Sequence, residues 1–473
     1  MHLNHEDIQA LEAIFTPERV RVDADTLATY GRDWTRVYTP APSVVVFPRS
    51  AEELQCLVKW ACEHQWPLVP SGGRTGLSGA AVAAQGEIVV SFERMNRILE
   101  FIPEDGMVRV EAGVVTEQLQ VFAEQHGLYY PVDFASAGSS QLGGNIGTNA
   151  GGIKVIRYGM TRDWVMGLKV VTGRGDILEL NGGMVKNATG YDLRHLFIGA
   201  EGTLGFIVEA TMAMARRPHD LRVMVLGVPD FAAVMPLLSS FQAAMELTAF
   251  EFFSELALQL VTEHTGLTRP FETVCPFYVL LEFEGEHAQV IDLAMKHFEH
   301  ALELGWVIDG VLSQSQSQAT NLWRLREDIS ETISQFTPYK NDISVIIQKV
   351  PDFIRDMDDI VAQEYPDLQV VWFGHIGDGN LHLNILKPIN IGMAEFVKRC
   401  QRVNLQVFEV VRRYRGSVSA EHGVGLTKKP YLSYTRSEDE LFYLRAIKQV
   451  FDPCNIINPG KVIDILPHGN PEA

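Results

Sequence analysis

The chain has 473 residues, 46% apolar and 21% charged, with a formal charge of −19. This length exceeds the roughly 250–300 residues at which a single core stops growing, so two large domains are expected. The acidic balance excludes a nucleic-acid binder or a ligand of anionic membranes, which need a basic face, and an acidic substrate would need local Arg and Lys to hold it.

Residues 1–7 carry neither the basic flank nor the apolar run of a secretory signal, and no stretch reaches the ~20 apolar residues of a spanning helix. The cysteines (Cys56, Cys62, Cys275, Cys400, Cys454) are scattered and include no C-x-x-C. Neither a disulfide framework nor a thiolate zinc site is therefore expected. A cytoplasmic protein without a transmembrane segment is the reading.

In chain order, 43–47 (SVVVF) predicts a strand, and 51–65 a helix with Leu54, Val58 and Ala61 on one side. Residues 68–70, 88–92 and 108–112 predict strands, 116–126 a helix, and 168–180 a hairpin turning at Gly173-Arg174-Gly175. After Arg216-Arg217-Pro218 the pattern becomes strand 221–228, helix 231–245, strands 249–253 and 277–283, then helix 288–304. That alternation predicts an α+β sandwich, one sheet backed by helices. Helices follow at 314–333, 394–414 and 438–450. The expected domains are 1–217, 218–430 and a helical segment 431–473 folding back on the first.

Three glycine-rich loops carry the first chemical signal. One runs Pro70-Ser71-Gly72-Gly73-Arg74-Thr75-Gly76-Leu77-Ser78-Gly79 after a short strand. The second spans 136–152 and includes Ser139, Gly143, Gly144, Thr148, Asn149 and Gly151; the third is Gly199-Ala200-Glu201-Gly202-Thr203-Leu204-Gly205-Phe206-Ile207. Glycine permits positive φ and lets backbone N–H groups approach phosphate oxygens. One such loop is more often a turn than a ligand site, but three in one domain point to a large phosphate-bearing cofactor. The spacing matches neither the nicotinamide nor the P-loop fingerprint.

The trio resembles the FAD-binding domain of the vanillyl-alcohol oxidase and p-cresol methylhydroxylase superfamily. The resemblance implies a two-part FAD-binding domain at 1–217, with the loop residues named above and Asn458 of the tail holding the nucleotide. Some relatives carry a flavin-linked histidine in the first loop; this chain has Arg74-Thr75 there, which implies non-covalent FAD.

The second signal is Gly374-His375-Ile376-Gly377-Asp378-Gly379-Asn380-Leu381-His382-Leu383-Asn384. A four-residue turn at 377–380, with Ile376 paired to Leu381, would set His375 opposite His382 at a Cβ separation of ~5 Å, with Asn384 on the same face. A strand histidine is usually only a satisfied side chain, yet a facing pair can share a divalent ion. In Ser419-Ala420-Glu421-His422-Gly423-Val424-Gly425, Glu421 would complete a His₂-carboxylate set, and His422 has the pKa of a base near neutrality.

These two motifs resemble the C-terminal domain of the FAD-linked D-2-hydroxy acid dehydrogenases. The resemblance implies zinc or a similar metal on His375, His382 and Glu421, with His422 as catalytic base and substrate contact. Substrate choice falls to Arg326 and Ser330, four residues apart on one predicted helix, with Lys340 and Asn384. Their layout is similar to the D-2-hydroxyglutarate dehydrogenase family, which has Thr where this chain has Ser330. The implied substrate is D-2-hydroxyglutarate, or the shorter dicarboxylate D-malate, oxidised to the 2-oxo acid. The implied acceptor is an electron-transfer flavoprotein or quinone, and a homodimer is compatible with the sequence. The alternatives are a D-lactate or glycolate dehydrogenase on the same scaffold, a metal-dependent hydrolase, and an inactive flavin-carrying subunit.

Overall fold

Short apolar runs bounded by glycine and proline become the strands of three main sheets in the computed structural model, which describes residues 3–465. Val20–Arg21 (β1), Val44–Val46 (β2), Leu68–Ser71 (β3) and Ile88–Ser91 (β4) form a sheet in the order β1-β2-β4-β3, parallel except at β1. Parallel strands are covered on both faces, and β2 and β4 are buried along their whole length.

Ile98–Ile102 (β5), Met107–Glu111 (β6), Val165–Thr172 (β7), Ile177–Leu180 (β8) and Gly205–Ala213 (β9) form an antiparallel sheet in the order β5-β6-β9-β7-β8. The β7–β8 hairpin turns where expected, with Gly175 at φ +78°. A third sheet comprises Leu221–Val228 (β10), Leu247–Ser254 (β11), Phe277–Glu284 (β12), Asp309–Leu312 (β13), Tyr339–Ser344 (β14), Val370–Gly374 (β15) and Asn380–Ile385 (β16). It is antiparallel, in the order β13-β10-β12-β11-β15-β16-β14. This is the α+β architecture expected.

The chain divides into two units. One holds the first two sheets, with residues up to Gly151, Met160–Arg217 and the chain from Glu421 onward; the other holds the seven-stranded sheet, Pro218–Ala420 with Gly152–Gly159. Two departures from the expected boundaries have local causes. Lys154 ties its short segment to the second unit by a buried 2.5 Å ion pair to Glu282 on β12. Residues just past Glu421 stay with the first unit because the N–H groups of Val424 and Gly425 donate to the Glu201 carboxylate at 2.6 and 2.9 Å.

Two expectations are corrected. The helix expected at 314–333 is two helices, Gln316–Glu327 and Ile329–Ser334. Asp328 ends the first with ψ −4°, its carboxylate taken by Arg324 at 3.0 Å, so Arg326 and Ser330 lie on different helices. Cys62 and Cys454, in which no disulfide was expected, are joined by one across 392 residues of sequence; the turn after the helix Glu438–Phe451 brings Cys454 beside the helix Ala51–His64. Among the described residues, no helix is long and apolar enough to cross a membrane.

Candidate active site

In the first unit, the three glycine loops line one cleft of about 150 Å³. Of the residues singled out in the sequence, Pro70, Gly72, Gly73, Arg74, Thr75, Gly76, Ser78, Gly143, Gly144, Thr148, Glu201, Gly205 and Ile207 face it. Gly79, Ser139, Asn149, Gly151 and Asn458 do not; Ser139 lines a neighbouring cavity of about 360 Å³ with Gly73, Arg74 and Gln141. Asn458 braces the loops instead, donating from Nδ2 to the carbonyls of Ala80 and Glu201 at 3.0 and 2.8 Å.

Asn145 and Phe206, which lie in the second and third loops read from the sequence, also line the cleft, while sequence reasoning missed Gln141. Gln141 lies inside the second loop, where glycine drew attention from the side chains between. The cleft fits a polar group that offers a hydrogen-bond donor to its Gln141 side. Among the described residues, buried Gln141 Oε1 has no hydrogen-bond partner, and a Cβ on Gly144 would meet only open space. Arg74 takes φ +59° and spans to Glu93 at 3.2 Å, which holds a cation at the loop.

Glu201, at φ +51°, is buried beneath the backbone of 423–425. A Cβ on Gly423 would fall 2.7 Å from Glu201 Cδ, so only glycine lets the chain close over this carboxylate. Burial pushes its pKa up to about 7, against the two backbone N–H bonds that pull it down.

In the second unit, β15 and β16 pair Phe373 with His382, not His375. The expected register slips by two because the connecting loop is longer. The His375 carbonyl accepts from the N–H groups of Asp378 and Asn380 at 3.1 and 3.2 Å, closing residues 375–380 into a turn with Gly379 at φ +84°. The imidazoles still meet, with ring centroids 5.4 Å apart, and each is 8% exposed. His375 falls opposite Glu251 by extension of the β11–β15 register, and its Nδ1–H donates to Glu251 Oε1 at 2.9 Å, with Oε2 2.8 Å away as a charge contact. A carboxylate can only accept, so Nδ1 carries a proton, and in the neutral ring Nε2 keeps its lone pair. His382 Nδ1 lies 3.7 Å from Asp342 Oδ1, its neighbour on β14.

Glu421 follows Ala420, the last residue of the second unit, whose N–H donates to the Asp342 carbonyl at 3.3 Å. The peptide bond to Ala420 therefore anchors Glu421 beside β14. His375, His382 and Glu421 each offer a ligand atom within 4.8 Å of the others. Two nitrogens and one carboxylate suit a divalent ion such as zinc. His422, next in the chain, is half-buried.

Lys340 and Asn384 are register partners across β14 and β16. Lys340 is exposed on the outermost strand of the sheet, and desolvation by its surroundings pushes its pKa down. Asn384 is 1% exposed, and its Nδ2 has no hydrogen-bond partner among the described residues. Arg326 is buried over the ring of Phe373, 4.8 Å from the centroid, which in turn lies 4.9 Å from the ring of His382. Its Nη2 sits 2.8 Å from Glu251 Oε2, but Nε and Nη2 lack hydrogen-bond geometry to any described atom. Ser330 is half-buried on the next helix. Glu251 was missed in the sequence. Its signal is a lone acid in the apolar strand Ala249-Phe250-Glu251-Phe252-Phe253, since charges are seldom buried unless paired.

Residues 217–462 match the family model "FAD linked oxidases, C-terminal domain", and residues 42–181 match "FAD binding domain". The chain is 62% identical over 455 residues to a D-2-hydroxyglutarate dehydrogenase of Stutzerimonas stutzeri, covering 96% of this chain and 98% of that one. It is 50% identical to a protein of the same name from Xanthomonas citri, covering 97% of each. Among solved structures, p-cresol methylhydroxylase aligns with a TM-score of 0.73 at 16% identity, covering 97% of this chain and 96% of that one. At that identity the likeness is one of fold.

Proposed function

This chain belongs to the FAD-linked oxidase family, and from that premise we propose that it oxidises D-2-hydroxyglutarate to the 2-oxo acid with the help of a divalent ion, zinc by preference. It is an FAD-dependent D-2-hydroxy acid dehydrogenase. The observation that carries the finer reading is a pair of buried nitrogens, Arg326 Nε and Asn384 Nδ2, that find no hydrogen-bond acceptor among the described residues, in the unit that also holds two facing imidazoles. Burying unpaired donors costs about 1–3 kcal/mol each, a cost a bound anionic oxygen ligand would offset.

In this reading the three glycine loops hold FAD, and His375, His382 and Glu421 hold the ion. When bound, FAD supplies the two-electron acceptor and the ion supplies Lewis acidity. His422 takes the proton of the substrate hydroxyl as C2 loses its hydride, so the substrate gives up two electrons and two hydrogens in all. Arg326 and Lys340 supply the positive charge that two carboxylates require, and Asn384 and Ser330 supply hydrogen-bond capacity. The acceptor that reoxidises the flavin would be an electron-transfer flavoprotein or a quinone. A second cation is what favours a dicarboxylate over D-lactate or glycolate.

Anaerobic mixing with D- and L-2-hydroxyglutarate, D-malate, D-lactate and glycolate, followed by flavin absorbance, tests the reading. Bleaching should be fastest with D-2-hydroxyglutarate. Faster bleaching by a monocarboxylate would overturn the substrate assignment.

A further inference from the structure

Glu251 lies at the centre of β11 with 1% of its surface exposed, on the same face as Ala249 and Phe253. A carboxylate there would be costly without partners, and it has two of different kinds. His375 Nδ1 stands 2.9 Å from Oε1 and 2.8 Å from Oε2, while Arg326 Nη2 stands 2.8 Å from Oε2. One side chain thus touches both a residue read as an ion ligand and a residue read as a substrate anchor.

We propose that Glu251 is a positioning residue that locks His375 in the tautomer and orientation that present Nε2 to the ion, while holding Arg326 against the same carboxylate. The inference rests on His375 being an ion ligand. Three features favour it over a merely structural pair. Nδ1 donates to Oε1 at 2.9 Å while Oε2 stands 2.8 Å away as a charge contact, so both oxygens of the carboxylate lie against the same ring nitrogen. His375 lies beyond the end of β15, in a loop whose ring orientation no strand pairing fixes. The remaining approach to Arg326 is a contact of charges without hydrogen-bond alignment, which leaves its N–H groups directed elsewhere. Carboxylates placed this way behind ligating histidines set ring orientation and basicity, and their loss typically weakens metal binding 10- to 100-fold.

The test is zinc affinity of the FAD-loaded protein, by chelator competition, in the wild type and in Glu251→Gln, His375→Ala and His382→Ala, with Glu251→Gln also combined with each histidine variant. Glutamine can still accept one hydrogen bond but carries no charge and turns an amide donor toward Arg326. The expected result is a 10- to 100-fold rise in Kd for Glu251→Gln and a similar rise in the His382→Ala background. In the His375→Ala background there should be no further rise, because the residue acted upon is gone; a general packing defect would weaken binding in both. Should Glu251→Gln fail to fold, Glu251→Leu with Arg326→Met removes both charges together and should show the same pattern.

An unchanged Kd in Glu251→Gln, with His375→Ala weakened, overturns the inference and leaves the ion site standing. An equal loss in both backgrounds overturns it as well. Zinc binding by wild type that is indifferent to His375→Ala and His382→Ala overturns the ion site and this inference together.

Discussion

Replacing Glu201 by glutamine removes a titrating group from beneath the 423–425 backbone. The folded carboxyl has a pKa of about 7 against an ordinary 4.5, so the folded state binds its proton more tightly than the unfolded chain does. The stabilisation from that proton is complete below about pH 4.5 and is lost as the pH rises through 7. A shift from 4.5 to about 7 corresponds to roughly 3 kcal/mol over the full range. About 2 kcal/mol of this falls between about pH 5.5 and 8.5, on the order of 4 °C in Tm. Glutamine does not titrate, and it exchanges one of the two accepted backbone bonds for an amide facing an N–H, a roughly constant penalty of about 1–3 kcal/mol. Thermal unfolding across this window should therefore show wild type losing about 4 °C relative to Glu201→Gln as the pH rises. A Tm difference that stays flat from acid to alkaline pH would refute the reasoning, because it would mean that the carboxyl titrates alike in the folded and unfolded chains.

Four further outcomes follow from the sites described. His422→Ala should slow substrate-driven flavin bleaching by at least about 10²-fold in stopped flow, with FAD retained through gel filtration. Bleaching at the wild-type rate would remove His422 from proton transfer. Lys340→Met should raise KM for D-2-hydroxyglutarate by about 10-fold or more and leave D-lactate nearly unaffected, in line with the worth of a charged hydrogen bond. Because burial lowers the Lys340 pKa, substrate binding should weaken as alkaline pH strips its proton, and Lys340→Arg should move that loss to higher pH. Lys154→Met leaves buried Glu282 with only Thr248 and Trp323 as partners, and should cost about 3–5 kcal/mol in denaturant unfolding.

What the sequence disclosed was mostly local. The run 221–228 alternates and branches as a strand should, and the structure forms β10 over the same residues. Glycine at 173 and 175 marked the β7–β8 turn because only a short, permissive loop can join those runs. The glycine loops were visible for the same reason, and the structure gathers them into one cleft. Long-range pairing was not visible. Cys62 and Cys454 meet across 392 residues, and nothing near either one announces the other. The histidine register was misread by two because the turn length was judged from glycines, while the loop is set by hydrogen bonds to the His375 carbonyl. The helix break at Asp328 fell inside a continuous apolar period, which hid it. Glu201 was noted only as part of a glycine loop, and its grip on 424 and 425 spans a sequence separation of 223 that no local pattern reveals.

The most direct measurement strips the protein with a chelator, keeps FAD bound, and follows flavin bleaching by D-2-hydroxyglutarate before and after zinc is restored. Bleaching should fall at least about 10²-fold in the stripped protein and return with zinc, and His375→Ala or His382→Ala should show little recovery at the same zinc concentration. Full-rate bleaching in protein shown to hold no metal would contradict the ion-assisted oxidation proposed for this chain.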